Sequence, residues 1–472
     1  MKFDLRNLLV FVAILSLALA SCQPAADEPA PVEEVEEAAP AVEAVEEAAP
    51  AVEEVEEPAP VEEVEEAAPP EEAEPVTLRF MFPEGAGRGP GFESAIAAYE
   101  ALNPNVTIET ESVPYGEYFG LLPVQFAGDS PADVAMIDSS GVISYAYNEA
   151  IVPLDDQFTQ SDVDDFLPSL VEQATYDGQM HAAPFFISTQ GVFYNADMFE
   201  AAGIEAPTSV EDAWTWPEFV ENISQVKENA ESDGSEVWGL VYLSNPPGGT
   251  SWSLPVIRSN GELGSNTFMA LSPDGTEVSG YLDTPEAMEA YQVWQDLFVK
   301  HGLVPQSDVP DAFGTGQAAT MISFSAWGGV LDNVFPDLNW GLMPIPYLET
   351  PIVHASHFMP TVAAKSENQE QAKDFVRFLS SRDGFLAYFE VTSDMPARVS
   401  LLNELEAFQQ LPLSIFKDEL LTVAYPAPGG PGGAIYGDLV GNLMVDIAKG
   451  ADIDSAVKAT VSELDAQLAQ FK

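Results

Sequence analysis

With 472 residues, 46% of them hydrophobic, the chain has material for two or three domains of ordinary size and their cores. Sixteen Lys and Arg against 77 Asp and Glu leave a formal charge of −61, which argues against nucleic acid and anionic lipid surfaces as partners, because like charges repel. Many of the acids fall in one N-terminal tract and the rest are spread along the chain, a pattern that suits a solvating surface better than an acidic cleft for a cation.

Lys2 and Arg6 precede an apolar stretch, Leu8 to Ala20, that is too short to span a bilayer, so residues 1–22 read as a secretory signal. Cys22 is the single cysteine, which excludes an intramolecular disulfide. The run Leu19-Ala20-Ser21-Cys22 resembles the lipobox of bacterial lipoproteins. That resemblance implies cleavage before Cys22, lipidation of Cys22, and an exported protein anchored on the outer face of the cell membrane or the periplasmic side. Residues 23–75 repeat a ten-residue unit, PVEEVEEAAP at 31–40 and its variants, each rich in like charge and closed by a helix breaker. Such units cannot bury enough surface to fold, so the tract reads as a disordered spacer.

From Val76 the composition becomes globular. VTLRFMF reads as a strand, EGAGRGPG as a loop, and Phe92, Ile96, Tyr99 and Leu102 lie at helical spacing up to the stop at Asn103-Pro104. VTIETESV and Asp133–Ile137 are further strands, the latter running into Asp138-Ser139-Ser140-Gly141. Strands alternating with helices predict an α/β fold with a mainly parallel sheet, and ligands bind such sheets beyond the carboxyl ends of the strands. That rule makes Arg88, in the 83–91 loop, and Asp138 candidate site residues. The glycine-rich loop lacks the Lys-Ser/Thr ending of a phosphate cradle and is either a ligand-facing turn or a connector. Asp138 suits either a bidentate acceptor for hydroxyl groups or a turn cap.

Phe185 to Tyr194 is an extended run with Ser188, Thr189 and Gln190 at its centre, followed by the helix-start signal Asn195-Ala-Asp. Apolar ends and a polar middle suit a connector between two cores, or else a strand whose centre meets solvent. Thr215 in TWPEF reads as an N-cap, with Trp216 as a packing residue. NPPGGTSW at 245–252 reads as an irregular loop, where periodicity cannot explain an aromatic, so Trp252 is a ligand candidate. Beyond it come a helix near 284–300, the stretch FGTGQAATMISFSAW, the strand NWGLMPIP, the segment His354-Ala-Ser-His357-Phe, and amphipathic helices at Glu370–Leu379, Leu439–Ala448 and Ile453–Phe471.

The order of these segments resembles the extracellular solute-binding proteins of the maltose-binding type, which deliver sugars to ATP-driven importers. The matching stretches are the opening strand and helix ending in Asn-Pro, DSPADVAMID, DGQMHAAPFFISTQGVFYNADMFEAAGI followed by TWPEF, FGTGQAATMISFSAW, WGLMPIP, KSENQEQAKDFVRFLSS and MPAR at 395–398. The resemblance implies a two-lobed, periplasmic-binding-protein-like fold with three interlobe crossings, within Phe186–Gln190, near His354–Phe358 and near Leu411. Lobe one is then 76–187 with 358–410, and lobe two 188–357 with 411–472. It further implies a monomeric, non-enzymatic receptor that closes by a hinge on a carbohydrate, with importer permease subunits as partners and no cofactor. Carried over residue by residue, Trp327 is the stacking aromatic, Trp252 a second one, Ser188 takes the place of a hydroxyl-binding carboxylate, and Tyr436 lies near the last stacking aromatic. Arg398 is the structural residue of its turn. His354 and His357 fall at the second crossing, as ligand hydrogen-bonders or structural residues. Two histidines without further nearby ligands argue against a metal site. A receptor for a cationic or zwitterionic solute such as a polyamine is the alternative that the acidity suggests. A secreted hydrolase lacks support in sequence motifs, with neither GxSxG nor HExxH present.

Overall fold

The strand Val76–Pro83 (β1) runs parallel to Val106–Val113 (β2), Val76 opposite Val106 through Pro83 opposite Val113, and parallel to Val134–Asp138 (β3) on its other side. This is a computed structural model that describes residues 74–472 apart from 86, 87, 356 and 393. The signal segment, Cys22 and the acidic repeats up to residue 73 lie outside the described residues. As an inner strand β1 buries Leu78 and Phe80 to Phe82, whereas the edge strand β2 places Thr107 and Glu109 in solvent. The helix Arg88–Leu102 covers this sheet with Phe92, Ile96 and Tyr99. It starts four residues earlier than apolar spacing predicts. Gly91 in its first turn is required by close approach, since a Cβ there would lie 2.4 Å from the Thr392 methyl.

Phe186–Ile187 pairs antiparallel with Met395–Pro396, and the chain then enters a second sheet at Gln190–Asn195 (β4). The predicted single extended run is thus divided between two pairings, with Ser188 in a single bridge and Thr189 outside regular structure between them. Asn195 caps the helix Ala196–Ala202 through its side chain, and Thr215 closes a capping box with Glu218 on the helix Trp216–Ala230, as the sequence signals indicate. Trp238–Val241 (β5) runs parallel to Ala318–Phe324 (β6), which is antiparallel to β4, and Trp340–Met343 (β7) completes the order β7-β4-β6-β5. This sheet is mixed and not mainly parallel, because β4 is entered from the short strand Phe186–Ile187 instead of through a helical crossover. Phe358–Val362 (β8) returns to the first sheet, antiparallel to β3 with Phe358 opposite Asp138, giving the order β8-β3-β1-β2.

One core centres on the first sheet, where Phe80, Phe92 and Phe375 meet edge to face, and extends to Phe193 and Phe416 near the second. The other lies under the second sheet around Trp216, Tyr291 and Trp294, with the Trp294 indole donating to Met444 O at 3.0 Å. Among the described residues no helix is long and apolar enough to cross a membrane.

Candidate ligand site

The carboxyl ends of β1 and β3 and the start of β8 converge on a buried polar cluster. Arg88, reached through the turn after β1, donates from Nε to Asp394 Oδ2 at 3.0 Å and from Nη2 to Oδ1 at 3.5 Å, and its guanidinium stands 5.2 Å from the Phe186 ring centre. Tyr388 donates to the same carboxylate at 2.7 Å. Burial works against the Arg88 charge, but Asp394 and Tyr388 outweigh it, so the guanidinium pKa is raised. His357 meets Arg88 Nη2 at 2.9 Å through Nε2 and the Phe358 N–H at 2.8 Å through Nδ1. Burial first, and then Arg88, hold this imidazole well below its ordinary pKa, so it is neutral at pH 7. A neutral imidazole carries one proton, so it accepts at only one of those two nitrogens.

Next to this cluster, the Ser139 N–H donates to His357 O at 2.9 Å, which ties the turn after β3 to the second crossing. Asp138 Oδ1 accepts from the Ser140 N–H at 3.0 Å and from its hydroxyl at 2.5 Å, so one oxygen caps the turn while Oδ2 has no hydrogen bond among the described residues. Burial pushes the Asp138 carboxyl upward, and the Ser140 bonds only partly offset the shift. This residue opens onto a cavity of about 620 Å³ lined by Phe119, Phe126, Ile137 and Tyr145 on one side and by Gly433, Ala434, Gly437 and Asp438 on the other. No Lys, Arg or His lines it among the described residues. Gly433 allows the close approach of its helix, since a Cβ there would lie 3.2 Å from Ser140 O. Tyr115 and Phe119, 55% and 44% exposed, gather with Phe358 at ring-centre distances of 5.2 to 6.2 Å. Phe119 also lines the cavity, where a large aromatic left this exposed is available for a ligand face.

The second sheet contributes from its own strand ends. Ser188 Oγ lies 3.2 Å from Ser325 Oγ, and the Ser325 N–H donates to Thr189 O at 3.0 Å. Thr189 Oγ1, Gln190 Nε2 and Ser323 Oγ are buried there without a partner among the described residues. Trp327 opens the helix Trp327–Val334, half-buried, on a separate cavity of about 350 Å³ with Tyr242, Phe313 and Phe335.

Arg88, His357 and Asp138 are thus brought together, and Ser188 meets the turn that leads to Trp327. Three candidates are placed elsewhere. Trp252 stands in the first turn of the helix Thr250–Arg258, not on an irregular loop, with its ring centre 4.5 Å from that of Phe324. Tyr436 is buried in the second core and donates to Ala270 O at 3.1 Å, because helical spacing from Gly433 turns it inward. His354, 1% exposed, packs against Arg258 and is held well below its ordinary pKa by burial and then by that cation. Arg398 joins Asp162 and Asp165 at 3.1 Å each, a structural link of its turn. Sequence reasoning missed Tyr115 and Phe119, whose signal is their spacing with Tyr118, Leu122 and Phe126, and Asp394, one acid among 77.

Two α/β sheets whose strand ends carry the polar groups define the two-lobed class of solute-binding proteins, and solved structures of that class share this fold. The GacH receptor of Streptomyces glaucescens, solved unliganded and with acarbose, matches with a TM-score of 0.70 at 22% identity over 84% of this chain and 100% of its own. The maltose-bound MalE3 of T. maritima matches with a TM-score of 0.69 at 21% identity over 83% of this chain and 100% of its own. A putative binding protein of Brucella abortus (strain 2308) is 24% identical over 398 residues, 81% of this chain and 91% of that protein. The sequence model described as "Bacterial extracellular solute-binding protein" matches residues 94–414, and the chain belongs to that family.

Proposed function

We propose that the chain is the receptor of an ATP-driven importer and that its solute is a carbohydrate, an oligosaccharide in particular. The observation that carries this reading is the cavity at the strand ends, where Phe119 and Tyr145 border the free Asp138 oxygen. Flat aromatic faces cover the C–H surface of a pyranose, and a carboxylate accepts from its hydroxyls. Relatives of the same fold that carry acarbose or maltose support it. The lobes we assign are 76–187 with 358–410 and 188–357 with 411–472; β1, β2, β3 and β8 share one sheet and β4 to β7 the other. Contacts from both lobes favour the closed form, so the ligand drives a hinge motion at the crossings. The receptor acts as a monomer, binds without turning its solute over, and is held outside the cell by lipid on Cys22.

A ligand that binds only the folded state raises its melting temperature, by the equivalent of about 2.7 kcal/mol at a hundredfold excess over Kd. A panel of neutral and acidic oligosaccharides screened by thermal shift is expected to contain such a ligand. Calorimetry on Phe119→Ala is expected to show affinity reduced about tenfold with the fold intact. No stabilisation by any sugar of the panel overturns the carbohydrate reading. The absence of cations from the same cavity favours a polyamine as the second reading, which stabilisation by spermidine instead of sugars establishes.

A further inference from the structure

Arg258, the last residue of the helix Thr250–Arg258, is 3% exposed. Its Nε donates to Phe268 O at 2.6 Å, and its Nη1 donates to Pro426 O at 2.8 Å and meets His354 Nε2 at 2.9 Å. Nη2 makes no hydrogen bond, and no carboxylate pairs with the guanidinium, among the described residues. Burial lowers its pKa, to about 10, which still leaves the charge in place at neutral pH. The contrast with Arg88 matters. Both arginines are buried, yet Arg88 holds Asp394, and a chain with 77 acids for 16 bases has no shortage of counterions.

This cation, without an ion pair and only partly offset by the field of Glu172, lines a cavity of about 290 Å³. Phe268 and Tyr425 form two of its walls, their rings perpendicular with centres 4.9 Å apart, and Phe268 also lies under the guanidinium at 5.1 Å. His354, which contacts Arg258 but does not line the cavity, accepts from it at Nε2, so the imidazole proton sits on Nδ1, which is buried and has no partner among the described residues. Glu172, exposed on the helix Pro168–Ala174, lines the same cavity without reaching the guanidinium as an ion pair. Unpaired buried donors are costly, and a buried cation without a counterion more so, unless a ligand supplies the acceptor.

We propose that the Arg258 cavity binds an anionic group, a carboxylate or phosphate carried by the solute, and that Arg258 selects for it. The proposal rests on the reading of the chain as a receptor and adds that its solute is acidic. Glu172 opposes the anion through its field and sharpens the selection against anions that bind Arg258 loosely.

The test uses the full exported chain, thermal shift and calorimetry, and three probes: inorganic phosphate, D-galacturonate and D-galactose. Stabilisation by galacturonate identifies a sugar acid, and stabilisation by phosphate alone a phosphorylated solute; either supports the proposal. Arg258→Gln is expected to weaken the anion at least about tenfold, and Glu172→Gln to strengthen it about threefold, with any galactose response unchanged by both. If Arg258→Gln fails to fold, Glu172→Gln carries the test, and an anion affinity that it leaves unchanged overturns the proposal. Anions that do not stabilise the wild type, or that stabilise Arg258→Gln equally, also overturn it, while neutral sugar binding then leaves the receptor reading standing. Phosphate binding that depends on Arg258, without binding of any sugar, sinks the carbohydrate reading and keeps this one.

Discussion

Arg88 and Asp394 lie 306 residues apart in sequence, and their contact shows what a single position reveals. The sequence marks Arg88 as a candidate because it is the one functional side chain of the glycine-rich loop beyond the carboxyl end of the opening strand. It does not mark Asp394, because only the fold selects it from the other acids. The pair is buried, with side chains 10% and 8% exposed, so removing one partner strands the other. Asp394→Asn is therefore expected to destabilise the protein by about 3 kcal/mol, read as a lower urea midpoint. A midpoint within error of wild type would mean that the pair contributes nothing net. Asp138 and Ser188 were legible from a strand end and a polar strand centre. Trp252 and Tyr436 stand in helices that begin just after Gly249 and Gly432, where glycine and proline in the sequence suggest loop.

At the scale of elements, the strands at 76–83 and 134–138 follow from apolar runs bounded by turn residues, and that at 106–113 from β-branched residues alternating with polar ones. The helix Tyr115–Ala127 does not follow in this way, since Gly116, Gly120 and Pro123 are poor helix formers and its stability comes from packing Tyr118, Leu122 and Phe126 on the sheet. Tyr118 fixes it further by donating to Met136 O at 2.7 Å. Packing also governs β4, the strand that follows the first crossing. A Cβ at Gly191 would come within 2.7 Å of the Phe416 ring and 2.9 Å of a Leu342 methyl, so β4, β7 and the helix Leu413–Thr422 meet there without spare volume. Gly191→Ala is expected to cost about 2 kcal/mol by overpacking. A gain in melting temperature, as backbone entropy alone would give, contradicts that expectation.

For the whole molecule, three buried groups set opposing pH limits. His354 and His357 are held well below the ordinary value of 6.5, by burial and then by Arg258 and Arg88. The unfolded chain takes up those protons first, so their contribution is full above about pH 6.5 and drains away as the pH falls below it toward the depressed folded values. Glu419 works in the other direction. Burial pushes it well above its ordinary 4.5, one oxygen accepts from the Ile345 N–H at 3.2 Å, and the other has no partner among the described residues. Its contribution is full below pH 4.5 and is lost as the pH rises through its folded value. Melting temperature is thus expected to fall between about pH 7 and about pH 5, and Glu419→Gln to melt higher than wild type at about pH 8 but not at about pH 4. Equal melting of variant and wild type at both ends would remove Glu419 from this account.

The gap between Ile187 and Gln190 has a mechanical side. Neither Ser188 nor Thr189 belongs to a strand of the two main sheets, yet Thr189 O accepts from the Ser325 N–H at 3.0 Å, so the joint stays tied to the end of β6. The side-chain polar groups around it are short of partners at Thr189, Gln190 and Ser323 among the described residues. Under the proposed hinge closure, a solute hydroxyl that reaches these groups supplies the bonds that the chain leaves unmade, and that gain contributes to the work of closure.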